Sequence, residues 1–333
     1  MSESRRKYRR PRLNPGERTR LLAEVAKLSE APIEAEIAAL RAALIAQDAE
    51  RDGGDDPPDE DAAAEETTMV EAHPEPDADA EDAAPLIYPL STESDDPWDA
   101  LPRIPVEVRV LERNLIVTAE RTDPAFASFD VLRTRIVQAM HERGWRRVAV
   151  TSPTQGCGKS FTALNLGIAL SRYQELRTVL LDLDLRRPSL ARYLGRRDVG
   201  SLGDVLRGHV RAEDHLVQLD AGGARIGRGL AVGLNDRTEA YASELFQQPA
   251  TAKVLHGIEM RLKPDVMLFD LPPALAQDDV IALAPHFDCI LLVIGGGITK
   301  PAEVREVTRR LGEDKPVLGL VLNMAEDGED DIY

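Results

Sequence analysis

The sequence predicts an α/β fold in which a mainly parallel β-sheet carries helices on both faces. Six short apolar runs have the length and composition of strands, at residues 147–151, 177–183, 229–233, 266–270, 288–294 and 317–322. Helical patterns separate these runs, and strands that alternate with helices are typical of a parallel sheet. A glycine-rich turn after the first run marks the edge of the sheet at which such folds bind ligands.

The glycine-rich turn extends from Thr151 to Ser160 and precedes a helical segment that begins at Lys159. Its Gly-Lys-Ser ending is typical of a phosphate-binding loop, although Pro153 replaces the usual first glycine and a simple helix cap is the alternative. Glycines let backbone N–H groups surround phosphate oxygens, and the helix N-terminus adds positive charge. Lys159 is expected to reach the β- and γ-phosphates, and Ser160 to hold Mg²⁺. The predicted nucleotide contacts are Thr154, Gln155, Gly156, Cys157, Gly158, Lys159, Ser160 and Phe161.

Two other predicted strands end in carboxylates. Asp182 and Asp184 close the second strand, and Asp270 closes the fourth. A single aspartate at a strand end is often only a helix cap or turn residue. Because the carboxyl ends of parallel strands meet at one edge of a sheet, these three side chains should lie beside the phosphate loop. Together the three strand ends predict a nucleotide-binding site.

Composition divides the chain into four segments: a basic arm (1–20), an amphipathic helical segment (21–50), an acidic linker (51–101) and a folded domain (102–333). Residues 52–99 contain eighteen Asp and Glu and no Lys or Arg, and without them the net charge of −17 becomes +1. Such a stretch cannot bury enough apolar surface to offset its ordering entropy, so disorder is expected. The acidity therefore indicates nothing about the partners of the folded domain.

The segments outside the sheet carry weaker patterns. The helical segment has a narrow apolar stripe without a core, which favours docking to a partner over self-association or folding back. Alternating valines at 106, 108 and 110 predict a short strand or extended segment, and a helix should follow Pro124. One face of that helix would carry Phe126, Phe129, Leu132, Ile136 and Met140.

The chain has the features expected of a cytoplasmic protein. It contains two cysteines, Cys157 and Cys289, which favours a reducing compartment. No secretory signal or membrane-spanning run is visible. Membrane contact, peripheral at the inner membrane, would have to pass through a partner or through the basic arm. Nucleic acid is not an expected partner, because the arm has no interleaved aromatic residue besides Tyr8.

Residues from about 120 to 333 resemble the bacterial tyrosine kinase family of capsule and exopolysaccharide biosynthesis. The motifs that carry the resemblance are Ser152-Pro153-x-x-Gly156-x-Gly158-Lys159-Ser160 (Walker A), Asp182-x-Asp184-x-Arg186-x-Pro188 (Walker A′), Asp270-x-Pro272-Pro273 (Walker B) and Val321-Leu322-Asn323. The second motif is the most specific, because ordinary phosphate-loop proteins lack this aspartate pair.

The resemblance implies a P-loop NTPase fold that transfers phosphate from ATP to tyrosine. Lys159 and Asp182 would be catalytic, Asp182 as the base or orienter for a tyrosine hydroxyl. Asp184 and Asp270, with Ser160, would hold Mg²⁺, and Asn323 would meet the adenine. The implied partner is a membrane-spanning polysaccharide co-polymerase or activator, and further copies of the chain are also conceivable partners.

Two features depart from the family pattern. The family ends in a tyrosine cluster that neighbouring subunits phosphorylate, whereas this chain ends in the single candidate acceptor Tyr333. The E-x-x-R-x-x-R motif for ring assembly falls on Ala127, Asp130 and Arg133, so one arginine remains. A nucleotide-switched scaffold that transfers no phosphate is therefore one alternative. A MinD/ParA-type positioning ATPase is another, but its signature lysine would stand at Thr154.

Overall fold

A computed structural model of the chain describes residues 96–116, 124–173, 175–220, 226–311 and 315–324. The basic arm, the helical segment, most of the acidic linker and Tyr333 therefore lie outside the described residues. Eight strands form one sheet in the order β1-β4-β5-β3-β6-β2-β7-β8. The strands are β1 (Arg103–Pro105), β2 (Arg147–Thr151), β3 (Thr178–Asp182), β4 (Val217–Asp220), β5 (Leu230–Gly233), β6 (Val266–Asp270), β7 (Cys289–Gly295) and β8 (Val317–Asn323).

The sheet confirms the predicted fold class. Six of its strands fall on the six predicted runs, with ends that differ by one residue at most. Every neighbouring pair is parallel except β4 and β5. The short strand β1 and its neighbour β4 complete one edge of the sheet and run opposite to the other six strands. The sequence pattern did not predict β4.

Helices cover both faces of the sheet. The described helices are α1 (Val108–Arg113), α2 (Pro124–Arg143), α3 (Lys159–Leu170), α4 (Leu190–Tyr193), α5 (Leu202–Leu206), α6 (Ala212–His215), α7 (Ala242–Phe246), α8 (Pro249–Leu262), α9 (Asp279–Leu283) and α10 (Pro301–Leu311), with a 3₁₀ turn at Ala284–His286. None of these is long and apolar enough to cross a bilayer within the part of the chain that the structure describes.

Two buried cores, one on each face, explain why the strands are apolar throughout. In β3, Val179 and Leu181 pack into the core beneath α5 and α7 to α10, while Leu180 packs into the core beneath α1 to α4. Successive strand residues point to opposite faces, so a strand that is covered twice has no polar side. The predicted helix after Pro124 is confirmed as α2.

The predicted extended segment at the valines is wrong for two of the three. Val106 follows β1, but Val108 and Val110 belong to α1. The helix buries Leu111, and this burial outweighs the preference of valine for strands. Trp98 and Leu101, which fall in the last residues of the predicted linker, are buried in the core.

Candidate active site

The phosphate loop lies between β2, which ends at Thr151, and α3, which begins at Lys159. Gly156 and Gly158 have φ angles of 85° and 86°, in the left-handed region that favours glycine. Among the described residues, no acceptor takes a hydrogen bond from the backbone N–H groups of 155–160. A run of unbonded N–H groups at the start of a helix is an anion-binding arrangement.

Side chains brace this loop from within. The Asn323 amide donates to the Cys157 carbonyl at 2.9 Å, and the Ser152 hydroxyl donates to the Thr154 carbonyl at 2.7 Å. The Cys157 thiol is buried and lies 3.3 Å from the same Thr154 carbonyl. The Cys157 side chain thus fills space beneath the loop.

Three carboxylates meet the loop lysine. Asp182 and Asp270 are register partners at the ends of the adjacent strands β3 and β6. The Lys159 ammonium lies 2.7 Å from Asp184 Oδ2 and 3.7 Å from Asp270 Oδ1. The structure therefore brings together Lys159, Asp182, Asp184 and Asp270, as the three strand ends predicted.

The electrostatics of this cluster depend on burial. Burial disfavours the charged form of Lys159, but the nearby Asp270 and Asp184 outweigh it and hold the pKa of the ammonium above its ordinary value. Burial raises the pKa of Asp270 to about 6, against the effect of the Lys159 charge. Burial and the Asp270 charge together raise the pKa of Asp182 well above its ordinary value.

The two carboxylate oxygens of Asp182 have different environments. Its Oδ2 accepts hydrogen bonds from the backbone N–H groups of Ser189 and Leu190, both at 2.9 Å, which anchors the start of α4. Its Oδ1 is buried and has no hydrogen-bond partner among the described residues. One oxygen therefore holds the local structure, and the other remains able to accept a proton.

The oxygen atoms at this site are suited to bind Mg²⁺ jointly with the phosphates of a nucleotide. Both oxygens of Asp270 are buried without a hydrogen-bond partner in the described structure, and the Ser160 hydroxyl lies 3.2 Å from the Lys159 ammonium. No group of three or more His, Cys, Asp or Glu side chains in the described ranges is arranged to hold a metal alone. Mg²⁺ commonly binds through one or two carboxylates plus substrate phosphates, which is the chemistry available here.

Two arginines after the Walker A′ aspartates were not predicted as site residues in their own right. Arg186 makes a bidentate ion pair with Asp279, at 2.6 and 3.0 Å. Arg187 donates to the Gln155 side-chain oxygen at 2.7 Å. The sequence motif contains Arg186 but gives no signal that Asp279 is its partner, because the pair joins residues far apart in the chain.

The other predicted contacts are distributed around the loop. Phe161 packs edge-on against Phe129 of α2, with ring centroids 6.0 Å apart. Asn323 lies against Cys157 and Gly158, so its predicted contact with adenine stays a prediction.

Arg133, the remaining arginine of the ring-assembly pattern, is engaged within the chain. It pairs with Asp130 at 3.0 Å, donates to the Ala169 carbonyl at 3.4 Å and lies 4.5 Å from the centroid of the Tyr173 ring. Arg172 also reaches Asp130, at 3.1 Å. These contacts join α2 to the end of α3, so Arg133 serves internal packing in this structure.

Residues 148–331, more than half of the chain, match the CobQ/CobB/MinD/ParA nucleotide binding domain family. The chain belongs to this family. The phosphate loop, the Walker A′ aspartates and Asp270 all lie within the matched region.

Relatives of this chain include proteins named as bacterial tyrosine kinases. The chain is 31% identical over 202 residues to the putative tyrosine-protein kinase EpsB of Ralstonia nicotianae, which covers 60% of this chain and 26% of EpsB. It is 27% identical over 214 residues to the tyrosine-protein kinase YwqD of Bacillus subtilis, which covers 64% of this chain and 86% of YwqD. The chain thus spans about a quarter of the length of EpsB.

Solved structures agree with these relatives. The kinase domain of VpsO superposes with a TM-score of 0.52 at 27% identity, over 61% of this chain and 97% of that domain. The BceF tyrosine kinase domain superposes with a TM-score of 0.50 at 28% identity, over 61% of this chain and 79% of that domain. The resemblance to bacterial tyrosine kinases is therefore confirmed.

Proposed function

We propose that this chain is an ATP-binding tyrosine autokinase-like protein that regulates the synthesis or export of a capsule or exopolysaccharide. The observation that carries the proposal is the cluster of Lys159 with Asp184 and Asp270 beneath an unbonded phosphate loop. The names of EpsB and YwqD support tyrosine as the acceptor. A relative from Klebsiella pneumoniae, named "putative tyrosine-protein kinase in cps region", supports the polysaccharide role.

Nucleotide binding would use the loop and its lysine. The N–H groups of 155–160 would surround the phosphates, and Lys159 would neutralise charge at the β- and γ-positions. Ser160, Asp184 and Asp270 would hold Mg²⁺, which supplies charge neutralisation and orients the phosphates. Phosphoryl transfer depends on such positioning and electrostatics far more than on covalent catalysis.

Asp182 would receive the proton of the tyrosine hydroxyl. Its Oδ1 has no partner, and its raised pKa makes the carboxylate a stronger base. The phenolic oxygen would form the new bond to the terminal phosphorus as the bond to ADP breaks, and the phenolic proton would pass to Asp182. The Asp182 side chain is fully buried, so the acceptor tyrosine would have to reach it past the edge of the phosphate loop.

The proposed acceptor is Tyr333, and the proposed setting is the cytoplasmic side of a membrane. A membrane-spanning co-polymerase or activator would recruit the chain, through the helical segment 21–50. The acceptor and the membrane partner rest on the family resemblance, whereas docking through segment 21–50 rests on the apolar stripe of its sequence. Tyr241 is the most exposed tyrosine in the part of the chain that the structure describes, with 70% of its surface accessible, and is the first alternative acceptor.

The test is intact-mass and phosphopeptide analysis of the full chain after incubation with Mg·ATP. Wild type is compared with Lys159→Ala and with Lys253→Ala, an exposed lysine on α8 that serves as the control. Phosphotyrosine in wild type and Lys253→Ala, but not in Lys159→Ala, is the expected result. Equal phosphotyrosine in all three proteins would refute catalysis at this site, and a signal that survives Tyr333→Phe would move the acceptor elsewhere.

A nucleotide-switched scaffold is the second candidate, and one observation favours it. Arg133, the single arginine left from the ring-assembly pattern, is held by Asp130 and Tyr173 of its own chain. A protein without the ring interface would lack the neighbouring active site that phosphorylates its tail. Tight binding of ATP without phosphotyrosine, in the presence of the membrane partner, would support the scaffold over the kinase.

A further inference from the structure

The consecutive arginines after the Walker A′ aspartates have opposite environments. Arg186 turns toward α9, where it pairs with the buried Asp279 and donates to the Ala240 carbonyl at 2.9 Å. Arg187 is exposed and turns toward the phosphate loop. The contacts of Arg186 therefore stabilise the fold, whereas Arg187 lies on the exposed side of the phosphate loop.

Arg187 bridges the two loops that form the nucleotide site. Its backbone N–H donates to Asp184 Oδ1 at 3.1 Å and to the Asp184 carbonyl at 3.0 Å. Its guanidinium donates to Gln155 of the phosphate loop at 2.7 Å. The backbone of Arg187 is therefore fixed beside the carboxylate that binds Lys159, and its guanidinium lies beside Gln155 of the same loop.

The guanidinium has capacity for a further ligand. Within the described ranges the guanidinium makes one hydrogen bond, to Gln155, and it forms no ion pair. A guanidinium has five N–H donors in a planar fork that matches phosphate oxygens. Four donors thus remain for a group that enters the loop.

The charge of the site calls for such a cation. Three carboxylates, Asp182, Asp184 and Asp270, surround one ammonium, that of Lys159. A nucleoside triphosphate adds several negative charges, and transfer of its terminal group places more charge on the equatorial oxygens. Arg187 can meet part of this charge, beside Lys159 and the Mg²⁺ that Asp184 and Asp270 would hold, while its backbone stays bonded to Asp184.

We propose that Arg187 binds the terminal phosphate of the nucleotide and makes the site prefer a triphosphate over a diphosphate. This inference rests on the proposed function, because it assumes that the loop binds a nucleotide. The lysine end of the loop is where the β- and γ-phosphates are expected, and Arg187 is joined to that end through Asp184. Gln155 holds the guanidinium in position before the nucleotide enters.

The test compares the affinities of the full chain for ADP and for a non-hydrolysable ATP analogue, both with Mg²⁺, by calorimetry. The variants are Arg187→Gln, Arg187→Lys, Gln155→Ala and the control Arg192→Gln, an exposed arginine on α4. A charge-assisted hydrogen bond is worth about 1.5–3 kcal/mol, which is about a tenfold or greater loss in affinity. Arg187→Gln should lose this factor for the analogue and less than about threefold for ADP. Arg187→Lys should retain part of the preference, because lysine keeps the charge but not the fork.

The remaining outcomes separate the two proposals. Equal losses for both nucleotides, or no loss, in Arg187→Gln would overturn the role of Arg187 while leaving the binding site intact. Gln155→Ala should lose less of the preference than Arg187→Gln, because it removes the group that positions the guanidinium but keeps the guanidinium itself. An equal or larger selective loss in Gln155→Ala would show that the effect comes from loop structure and would overturn the direct contact. Failure of the wild type to bind either nucleotide would overturn the proposed function and, with it, this inference.

Discussion

Replacing Gly158 with alanine would place a methyl carbon 2.0 Å from the side-chain nitrogen of Asn323 and 3.2 Å from its Cγ. A separation of 2.0 Å is far below van der Waals contact, so the Asn323 side chain has to move. Movement breaks the hydrogen bond from Asn323 to the Cys157 carbonyl, which the wild type makes at 2.9 Å. The substitution therefore strains the phosphate loop and removes one of its braces.

The energetic cost has two parts. A non-glycine residue in the left-handed region costs about 1–2 kcal/mol, and Gly158 has a φ of 86°. Loss of the Asn323 hydrogen bond adds about 1 kcal/mol. Gly158→Ala should thus lower the free energy of unfolding by about 2–3 kcal/mol and weaken nucleotide binding, because the loop N–H groups lose their arrangement.

A double-mutant cycle with Asn323→Ala isolates the energy that is lost with the Asn323 hydrogen bond. In the Asn323→Ala background the methyl group meets no amide, so Gly158→Ala should cost only the backbone strain. The expected coupling is about 1 kcal/mol, measured from chemical denaturation of the four proteins. Additive effects within about 0.5 kcal/mol would refute the contact between the two side chains. Titration with a fluorescent nucleotide would show whether affinity follows the same pattern.

Three further predictions concern stability. Burial lowers the pKa of His215 in the folded state, so the unfolded state binds the proton at a higher pH than the folded state does. The unfolding free energy should therefore fall as the pH drops below about 6.5. His215→Gln should reduce this pH dependence, as measured by urea titrations. Arg186→Ala leaves the carboxylate of Asp279 buried and unpaired, and it should lower the free energy of unfolding by about 3 kcal/mol. Adding Asp279→Asn in a double variant removes that buried charge and should restore part of the lost stability. Gly257→Ala in α8 adds a methyl group with no atom within 4 Å and should raise the unfolding free energy by about 0.5–1 kcal/mol.

Each of these predictions has a contradicting outcome. An unchanged pH dependence in His215→Gln, or an equal reduction in the exposed His256→Gln, would show that the buried histidine is not responsible. A double variant no more stable than Arg186→Ala would mean that the unpaired carboxylate is not the source of the cost. A lower melting temperature for Gly257→Ala would contradict the open space around that position.

Local features of the sequence predicted most of the sheet. Strands such as β2 and β6 are buried on both faces, so their residues form continuous apolar runs that turn residues interrupt. β4 was missed because its Val-Gln-Leu-Asp run is short and partly polar, and its pairing with β5 is antiparallel. α1 was misassigned because its valines favour strands locally, whereas burial of Leu111 decides the outcome.

The sequence by itself determined the phosphate loop and the meeting of Lys159 with the Walker A′ and Walker B aspartates. This was possible because the carboxyl ends of parallel strands all lie at the same edge of the sheet, so residues that follow different strands come close together there. Only the tertiary structure decided the partners of the neighbouring side chains: Arg186 faces Asp279, Arg187 faces Gln155, and Asn323 braces the loop. These contacts join residues that are distant in the chain, and their geometry depends on how the strands and loops pack together.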